Sequence, residues 1–254
     1  DIDGQNPYDE VGRSVSLSND GSIVAFGSHI GNYVSVYENI SGSWTQIGQD
    51  IVGINEGFGY YVSLNDNGNI LAVGAAFNND NGLNAGQVRV YENISGSWIQ
   101  IGQNIDGEAP NDKSGYTVSL NSNGDILSIG APFNNNNGNG SGYVRLYEFT
   151  SGSWSQIGQN IDGENALDAC SESHGLSINA DGNIVAIGSW RNADNGIRSG
   201  HVRVYENTSG FWTQIGQDID GDIIDDFKIS LILLTIYRIS YSQNTNGAYA
   251  LLLS

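Results

Sequence analysis

Apolar and polar positions alternate in short runs along this chain, and the runs recur. The segment SGSWTQIGQDI (41–51) returns three times with few changes, at 95–105, 151–161 and 209–219. Its tryptophans are Trp44, Trp98, Trp154 and Trp212. They lie 54, 56 and 58 residues apart, and a second landmark with a glycine turn precedes each of them. Self-similarity at such a period identifies a repeat protein.

Each unit predicts four short strands. The first is typified by SVSL (14–17), and an Asp-Gly or Asn-Gly turn follows it, as in a tight hairpin. The second resembles ILAVGA (70–75), the third resembles VRVYE (88–92), and an E-N-x-S-G turn leads to the fourth, which carries the tryptophan.

In the third and fourth strands, apolar residues fall on both faces, and such a sheet must be covered on both faces. The sequence shows no helical period that would supply covering helices. We therefore predict an all-β fold, a β-propeller or partial propeller of four-stranded antiparallel blades. A flat solenoid of four-stranded units is the alternative.

We expect a single repeat domain over residues 1–254. The predicted repeats are 1–49, 50–103, 104–159 and 160–217, with a degenerate partial fifth repeat at 218–254. Within the fifth, the segment FKISLILLTIYRIS lacks the glycine turn of the other units. We expect the chain to be a fragment of a larger array whose last unit is disrupted.

Composition narrows the class of protein. The chain has 9 basic and 28 acidic side chains, a formal charge of -19, and 39% hydrophobic residues, which is enough for a packed core. The acidic excess excludes nucleic acid and anionic membrane surfaces as partners. A single cysteine, Cys170, excludes an intrachain disulfide framework. No stretch reaches the roughly 18 apolar residues of a membrane span, so we expect no membrane insertion.

The unit GAPFNNNNGNGSGYVRLYE (130–148), preceded by KSGYTVSL (113–120), resembles the FG-GAP repeat of integrin-type propellers, in a variant with an S-G-x-W hairpin. Phe58-Gly59 carries the first half of that motif, and Gly130-Ala131-Pro132 carries the second. The resemblance covers residues 1 to about 221 and implies an extracellular or cell-surface location. It also implies a calcium loop between the first and second strands. Those positions here are short turns with at most one carboxylate each, so we do not transfer that site.

Two other loops of each unit, one rich in asparagine and one of the form D/N-I-D-G-E, offer oxygen ligands for Ca²⁺. The candidates are Asp80, Asp106, Glu108, Asp162, Glu164, Asp168 and Asp194. The alternative is that these residues form turns, which Asn, Asp and Gly favour. We expect no cofactor other than Ca²⁺ at these loops.

Few residues break the repeat, and an enzyme would need one polar cluster that does. The residues that break it are Cys170, Glu172, His174, Trp190 and Arg191. A nucleophile pair of Cys170 and His174 lacks a third group, so we expect no active site. Arg89, Arg145 and Arg203 repeat one strand position, and their alternation with Val predicts ladder pairs with neighbouring acids across the sheet.

The repeated tryptophans predict packing between blades, and the alternative is a set of exposed sugar-stacking platforms. N-x-S/T sites occur at Asn39, Asn93, Asn139 and Asn207. They would carry glycans in a eukaryotic secreted protein and would be plain turn residues in a bacterial one.

From this we expect a non-enzymatic extracellular or cell-surface module for binding or adhesion. Its partner would be an unidentified protein or glycan bound through the blade loops. The alternative is a carbohydrate-binding, lectin-like propeller, and an enzyme on a propeller scaffold is a third class. Open sheet faces at the ends of the array also predict edge-to-edge self-association.

Overall fold

The computed structural model describes residues 2–54 and 56–221. Twenty strands in these residues form four antiparallel sheets, which we call blades 1 to 4. The predicted all-β propeller architecture is confirmed. Residues 222–254, which hold most of the predicted fifth repeat, lie outside the described residues, and the repeat boundaries remain a prediction.

The strands follow the repeat closely. Blade 1 contains β1 (Ser14–Leu17), β2 (Ile23–Ser28), β3 (Tyr33–Ile40), β4 (Ser43–Gln46) and β5 (Ile51–Val52). Blade 2 contains β6 (Phe58–Leu64), β7 (Ile70–Ala75), β8 (Gln87–Ile94), β9 (Ser97–Gln100) and β10 (Ile105–Asp106). Blade 3 contains β11 (Thr117–Leu120), β12 (Ile126–Ala131), β13 (Tyr143–Thr150), β14 (Ser153–Gln156) and β15 (Ile161–Asp162). Blade 4 contains β16 (Leu176–Ile178), β17 (Ile184–Ser189), β18 (His201–Thr208), β19 (Phe211–Gln214) and β20 (Ile219–Asp220).

The long third strand of each blade serves two partners along its outer edge. In blade 1, the end of β3 pairs with β4, where Tyr37 faces Gln46. The start of β3 pairs with the short strand β5, where Tyr33 faces Val52. The same arrangement recurs in the other three blades. The sequence pattern did not predict this fifth strand, because two residues are too few to show a period.

Neighbouring blades are joined through their first strands, which lie nearest the axis of the array. Serine hydroxyls on these strands accept backbone N–H groups of the next blade. Ser14 Oγ accepts from Val62 N at 2.9 Å, and Ser63 Oγ accepts from Leu120 N at 3.0 Å. These bonds use small polar side chains where the axis leaves little room, so they fix the spacing of adjacent blades.

The predicted hairpin turns close one end of this axis. Backbone N–H groups of the turns donate in succession to the next turn, from Asn19 to Asp66, from Asp66 to Ser122, and from Ser122 to Ala180, over 2.9 to 3.2 Å. Within each turn the first side chain also accepts a backbone N–H, as Asn121 Oδ1 does from Ile126 N at 2.9 Å. The turn side chains are thus used to shape the backbone.

The repeated tryptophans pack between blades, as predicted. Trp98, Trp154 and Trp212 are 3 to 4% exposed. Each indole nitrogen donates to a carbonyl of the preceding blade at 3.0 to 3.2 Å. Trp44 of blade 1 is 39% exposed. In blade 1, which has no preceding blade among the described residues, the tryptophan at this position is therefore partly exposed to solvent.

The face of blade 1 that precedes the array is open. Val15 and Leu17 on β1 are 63% and 55% exposed, whereas Val62 and Leu64, their equivalents on β6, are buried. The described blades therefore form an arc with an apolar face at its start. No helix in the described part of the chain is long and apolar enough to cross a membrane.

Paired glycines allow adjacent blades to approach backbone to backbone. A Cβ added at Gly27 would overlap the carbonyl oxygen of Gly59 in the next blade, and one added at Gly74 would overlap that of Gly115. Gly59 and Gly115 themselves have φ of +84° and +82°, in the left-handed region that favours glycine. Close contact and local geometry both require glycine here.

Candidate functional site

A polar cluster that departs from the repeat lies at the end of the axis opposite the hairpin turns. We call it the axial cluster. Its members are Arg13, Tyr60, Tyr61, Tyr116, Glu172, His174, Trp190 and Arg191. Counted back from the glycine of the hairpin turn, Arg13, Tyr60, Tyr116 and His174 occupy the same repeat position in blades 1 to 4. This one position thus holds four side chains of three chemical types.

A local insertion places the blade 4 residues in the axial cluster. Ten residues separate Asp168 from Ile178, whereas eight separate Asp112 from Leu120 in blade 3. The two added residues follow Glu172, whose N–H donates to Ala169 O as that of Tyr116 does to Lys113 O in blade 3. Nearby, the non-glycine residues Ser171, Ser173 and His174 have φ of +66°, +52° and +72°. Such conformations are costly and cluster at functional sites.

Glu172 forms a bidentate ion pair. Its Oε1 accepts from Arg191 Nη2 at 2.9 Å, and its Oε2 lies 2.8 Å from Arg191 Nε. Trp190 Nε1 donates to the same Oε2 at 2.9 Å. The carboxylate is buried, at 6% exposure. Three charge-assisted contacts hold it rigidly and aim the guanidinium of Arg191.

Aromatic side chains form the other side of the axial cluster. Arg13 Nη2 donates to Tyr60 Oη at 2.7 Å, and the rings of Tyr60 and Tyr116 lie 4.6 Å apart. The ring of Tyr61 lies 5.3 Å from His174 of blade 4, so these residues meet across the axis. Burial raises the pKa of Tyr61 to about 12, so its hydroxyl stays protonated and able to donate at neutral pH. Burial raises the pKa of Tyr116 as well.

A cavity of about 380 Å³ adjoins the axial cluster through Arg191. Its wall also holds Arg198, Asp168, Asp194 and the apolar side chain of Leu167. Two guanidinium groups and two carboxylates line this wall, so it offers ion-pair partners to groups of either charge. The volume is that of a small-molecule site.

The axial cluster contains the groups that acid–base chemistry needs. His174 is exposed, and an imidazole is the commonest side chain for proton transfer in catalysis. Arginine and tyrosine N–H and O–H groups can stabilise negative charge that develops on a substrate oxygen. Cys170, by contrast, is fully buried, and burial raises the pKa of its thiol to about 12, so it is not a nucleophile.

The structure brings several calcium candidates together around amide groups. Asp80 and Asp106 both accept from Gln87 Nε2, at 3.0 and 2.6 Å. Asp168 and Asp194 both face the amide of one asparagine side chain, at 3.5 and 3.1 Å. These carboxylates already have protein partners, and calcium binding by them remains a prediction.

The remaining calcium candidates contact arginine or asparagine side chains. Glu108 pairs with Arg145, and burial raises the pKa of Asp162. Glu164 Oε1 lies 3.3 Å from Arg203 Nη1. Of the seven candidates, Glu164 alone belongs to a group of at least three His, Cys, Asp or Glu with converging ligand atoms within the described ranges.

The repeated strand arginines pair with acids, as predicted, but not across the sheet. Arg89 Nη1 lies 2.9 Å from Glu56 Oε1. As with Glu108 and Glu164, this acid comes from the loop that enters the blade. The alternation of these arginines with valine therefore predicted that they form ion pairs, but it did not identify the element that supplies the acid.

The fold and the axial cluster define this chain as part of a β-propeller. It is similar to a candidate 6-phosphogluconolactonase from Bacteroides uniformis, with 14% identity, a TM-score of 0.57, and coverage of 82% of this chain and 55% of that one. A candidate 6-phosphogluconolactonase from Bacteroides fragilis gives 14% identity, a TM-score of 0.58, and coverage of 82% and 54%. The periplasmic gluconolactonase of Pseudomonas aeruginosa has 16% identity and a TM-score of 0.52, with coverage of 83% of this chain and 55% of that one. The chain thus spans about half the length of these structures. No protein-family model and no curated protein matches the sequence.

The expectation of a non-enzymatic adhesion module, and with it the absence of an enzyme, is contradicted. The structures just described are named as lactonases, so propellers of this shape include enzymes. The prediction failed because it passed from a resemblance in fold to a role, and a fold does not imply a function.

The lectin-like alternative is not supported either. A ring of stacking platforms requires exposed tryptophans, yet three of the four are buried between blades. Sequence reasoning did single out Glu172, His174, Trp190 and Arg191 as departures from the repeat. It missed Tyr61, because one tyrosine among many gives no sign that it reaches across the axis.

Proposed function

We propose that this chain carries the axial cluster of a hydrolase that acts on a small anionic sugar derivative, such as a sugar lactone. One observation carries the proposal. The axial cluster, which departs from the repeat, combines an exposed imidazole, His174, with a fixed guanidinium, Arg191, and protonated tyrosines. The names of the similar structures supply the substrate class.

The chemistry proposed for a lactone is hydrolysis with proton transfer by His174. The imidazole takes a proton from water as the water oxygen adds to the lactone carbonyl carbon. Donors from the tyrosines and Arg13 stabilise the resulting oxyanion. The ring C–O bond then breaks, the imidazolium returns its proton to the leaving alkoxide, and the product acid ionises to a carboxylate with release of one proton to solvent.

Proton release gives the assay. Glucono-δ-lactone and its 6-phosphate are added to the full chain in a pH-stat, and the rate is compared with spontaneous hydrolysis. We expect His174→Gln to lower kcat/KM by about 100-fold or more. Arg13→Gln should lower kcat for both lactones, because it removes a charged donor to the oxyanion. Asp181→Asn, in an exposed turn at the other end of blade 4, is the matched control and should leave both constants unchanged.

Two results would overturn the proposal. One is a rate no higher than the spontaneous rate with either lactone. The other is a rate that His174→Gln leaves at the wild-type value, because catalysis would then lie elsewhere.

We also propose the FG-GAP relationship and an extracellular or cell-surface location. The glycine contacts between blades support the relationship. The glycine of Phe58-Gly59 meets Gly27 of the preceding blade, and Gly27 holds the position that begins the Gly-Ala-Pro half in blade 3. The two halves of the motif thus have one physical purpose, the close approach of adjacent blades. The location rests on the resemblance and on the acidic composition with a single cysteine.

A further inference from the structure

Blade 4 contains a buried histidine with unusual surroundings. His201, at the start of β18, is 0% exposed. Within residues 2–54 and 56–221, neither of its ring nitrogens has a hydrogen-bond partner. Buried polar groups normally have partners, because an unpaired one costs stability. Both ring nitrogens of His201 are therefore available to a ligand.

Two carboxylates face this imidazole. Asp218 Oδ2 lies 3.6 Å from His201 Nδ1, and Glu164 Oε2 lies 4.0 Å from it. The ligand atoms of all three side chains lie within 4.8 Å of one another. Two ligands at about 2.1 Å from a tetrahedral metal are about 3.4 Å apart. The two distances to His201 therefore need to close by about 0.2 and 0.6 Å, and the separation of the two carboxylate oxygens by at most about 1.4 Å.

Each carboxylate is held by its other oxygen. Gln214 Nε2 donates to Asp218 Oδ1 at 2.6 Å, and Arg203 Nη1 lies 3.3 Å from Glu164 Oε1. The oxygens that face His201 are therefore left over from contacts that orient them. Hydrogen bonds and ion pairs that orient the ligand side chains in this way are typical of metal sites. The side chains of Glu164 and Asp218 are 40% and 26% exposed, which gives an ion a path from solvent.

The other blades act as internal controls, because none of them has all three ligand types. The corresponding triples in blades 1 to 3 are Gln5, Tyr33 and Asp50; Glu56, Gln87 and Asn104; and Glu108, Tyr143 and Asn160, where Glu56 and Glu108 pair with the strand arginine as Glu164 does. The glutamine that orients Asp218 has a counterpart in blade 3, where Gln156 Nε2 donates to Asn160 Oδ1 at 3.0 Å. The scaffold is therefore common to the blades, and only blade 4 carries the donor set.

We propose that Glu164, His201 and Asp218 form a site for a divalent transition metal of the Zn²⁺ class. An imidazole with two carboxylates suits such an ion better than Ca²⁺, which takes six to eight oxygens. Three protein ligands leave one position of a tetrahedral ion for water or another small ligand. The site is separate from the axial cluster and does not depend on the hydrolase proposed above.

The test uses the full chain after treatment with a chelator. Zn²⁺ is titrated by calorimetry, and Co²⁺ is added to record the visible absorption of a nitrogen- and oxygen-ligated ion. We expect one Zn²⁺ per chain in a tight class of sites, with no displacement by excess Ca²⁺. His201→Tyr, which restores the residue of blades 1 and 3, should weaken Zn²⁺ binding by at least about 100-fold and remove the Co²⁺ absorption.

Two further variants keep the test decisive. Asp218→Asn introduces the residue of blades 2 and 3 with little change in shape, and it should also weaken Zn²⁺ binding. This variant provides the test if His201→Tyr does not fold. Asp50→Asn, the equivalent change in blade 1, should leave the affinity unchanged. Zn²⁺ binding that survives both blade 4 substitutions would belong to the acidic surface and would overturn the proposal. A wild-type chain that binds no Zn²⁺ tightly would overturn it as well.

Discussion

The tryptophan that joins each blade to the preceding one allows a matched comparison. Trp154 is 3% exposed, and its indole nitrogen donates to Ile101 O at 3.2 Å. Substituting a core tryptophan by alanine costs about 3–5 kcal/mol in folding free energy. Gln103 binds the backbone of Trp154 on both sides, at 2.6 and 3.0 Å. Those bonds survive in Trp154→Ala, so we expect the lower part of that range, about 3–4 kcal/mol.

Trp44→Ala is the control, because the same repeat position is 39% exposed in blade 1. Among the described residues its indole nitrogen has no carbonyl partner of this kind, so we expect a loss of about 1 kcal/mol. For a domain of this size each kcal/mol lowers Tm by about 2–4 °C. Trp154→Ala should therefore lower Tm by about 6–16 °C, and Trp44→Ala by about 2–4 °C.

The comparison is made by urea unfolding and thermal melts followed by far-UV circular dichroism. Equal losses for the two variants would refute the reasoning, because burial between blades would then contribute nothing. A larger loss for Trp44→Ala would refute it more strongly.

Four further outcomes follow from the same contacts. Burial raises the pKa of Asp112, so the folded state binds its proton more tightly than the unfolded chain, and stability falls as pH rises above about 3.8 through the raised pKa. Asp112→Asn should reduce that loss, measured by urea unfolding at about pH 4 and about pH 7. Gly74→Ala should cost about 1–3 kcal/mol, because the new methyl group meets backbone of the next blade, and near-wild-type unfolding would contradict this. The open face of blade 1 should drive edge-to-edge association, so light scattering should show a smaller mass after Val15→Lys with Leu17→Lys, and a monodisperse wild-type monomer would argue against it. If the acidic loops bind Ca²⁺, melts at 100 times the dissociation constant should gain about 2.7 kcal/mol over melts in EGTA, and identical melts would exclude the loops as sites.

Much of the fold follows from local pattern. The hairpin glycines, the strand lengths and the tryptophan spacing identify repeating four-stranded units, and the two apolar faces require stacking between units. Each of these features involves residues that are close together along the chain, so it can be recognised from the sequence. Glu172 and His174 were also visible as departures from the repeat, because an internal repeat supplies its own reference at every position.

The tertiary structure alone decided how those departures combine. Tyr61 meets His174 from two blades away, and His201 meets Glu164 and Asp218 from three different elements. Contacts of this kind depend on how far a side chain reaches once the blades are stacked, and no spacing along the chain encodes that distance. The sequence by itself therefore determined which units form and how they stack. Packing around the axis decided which polar side chains share a site, because burial and charge act through space.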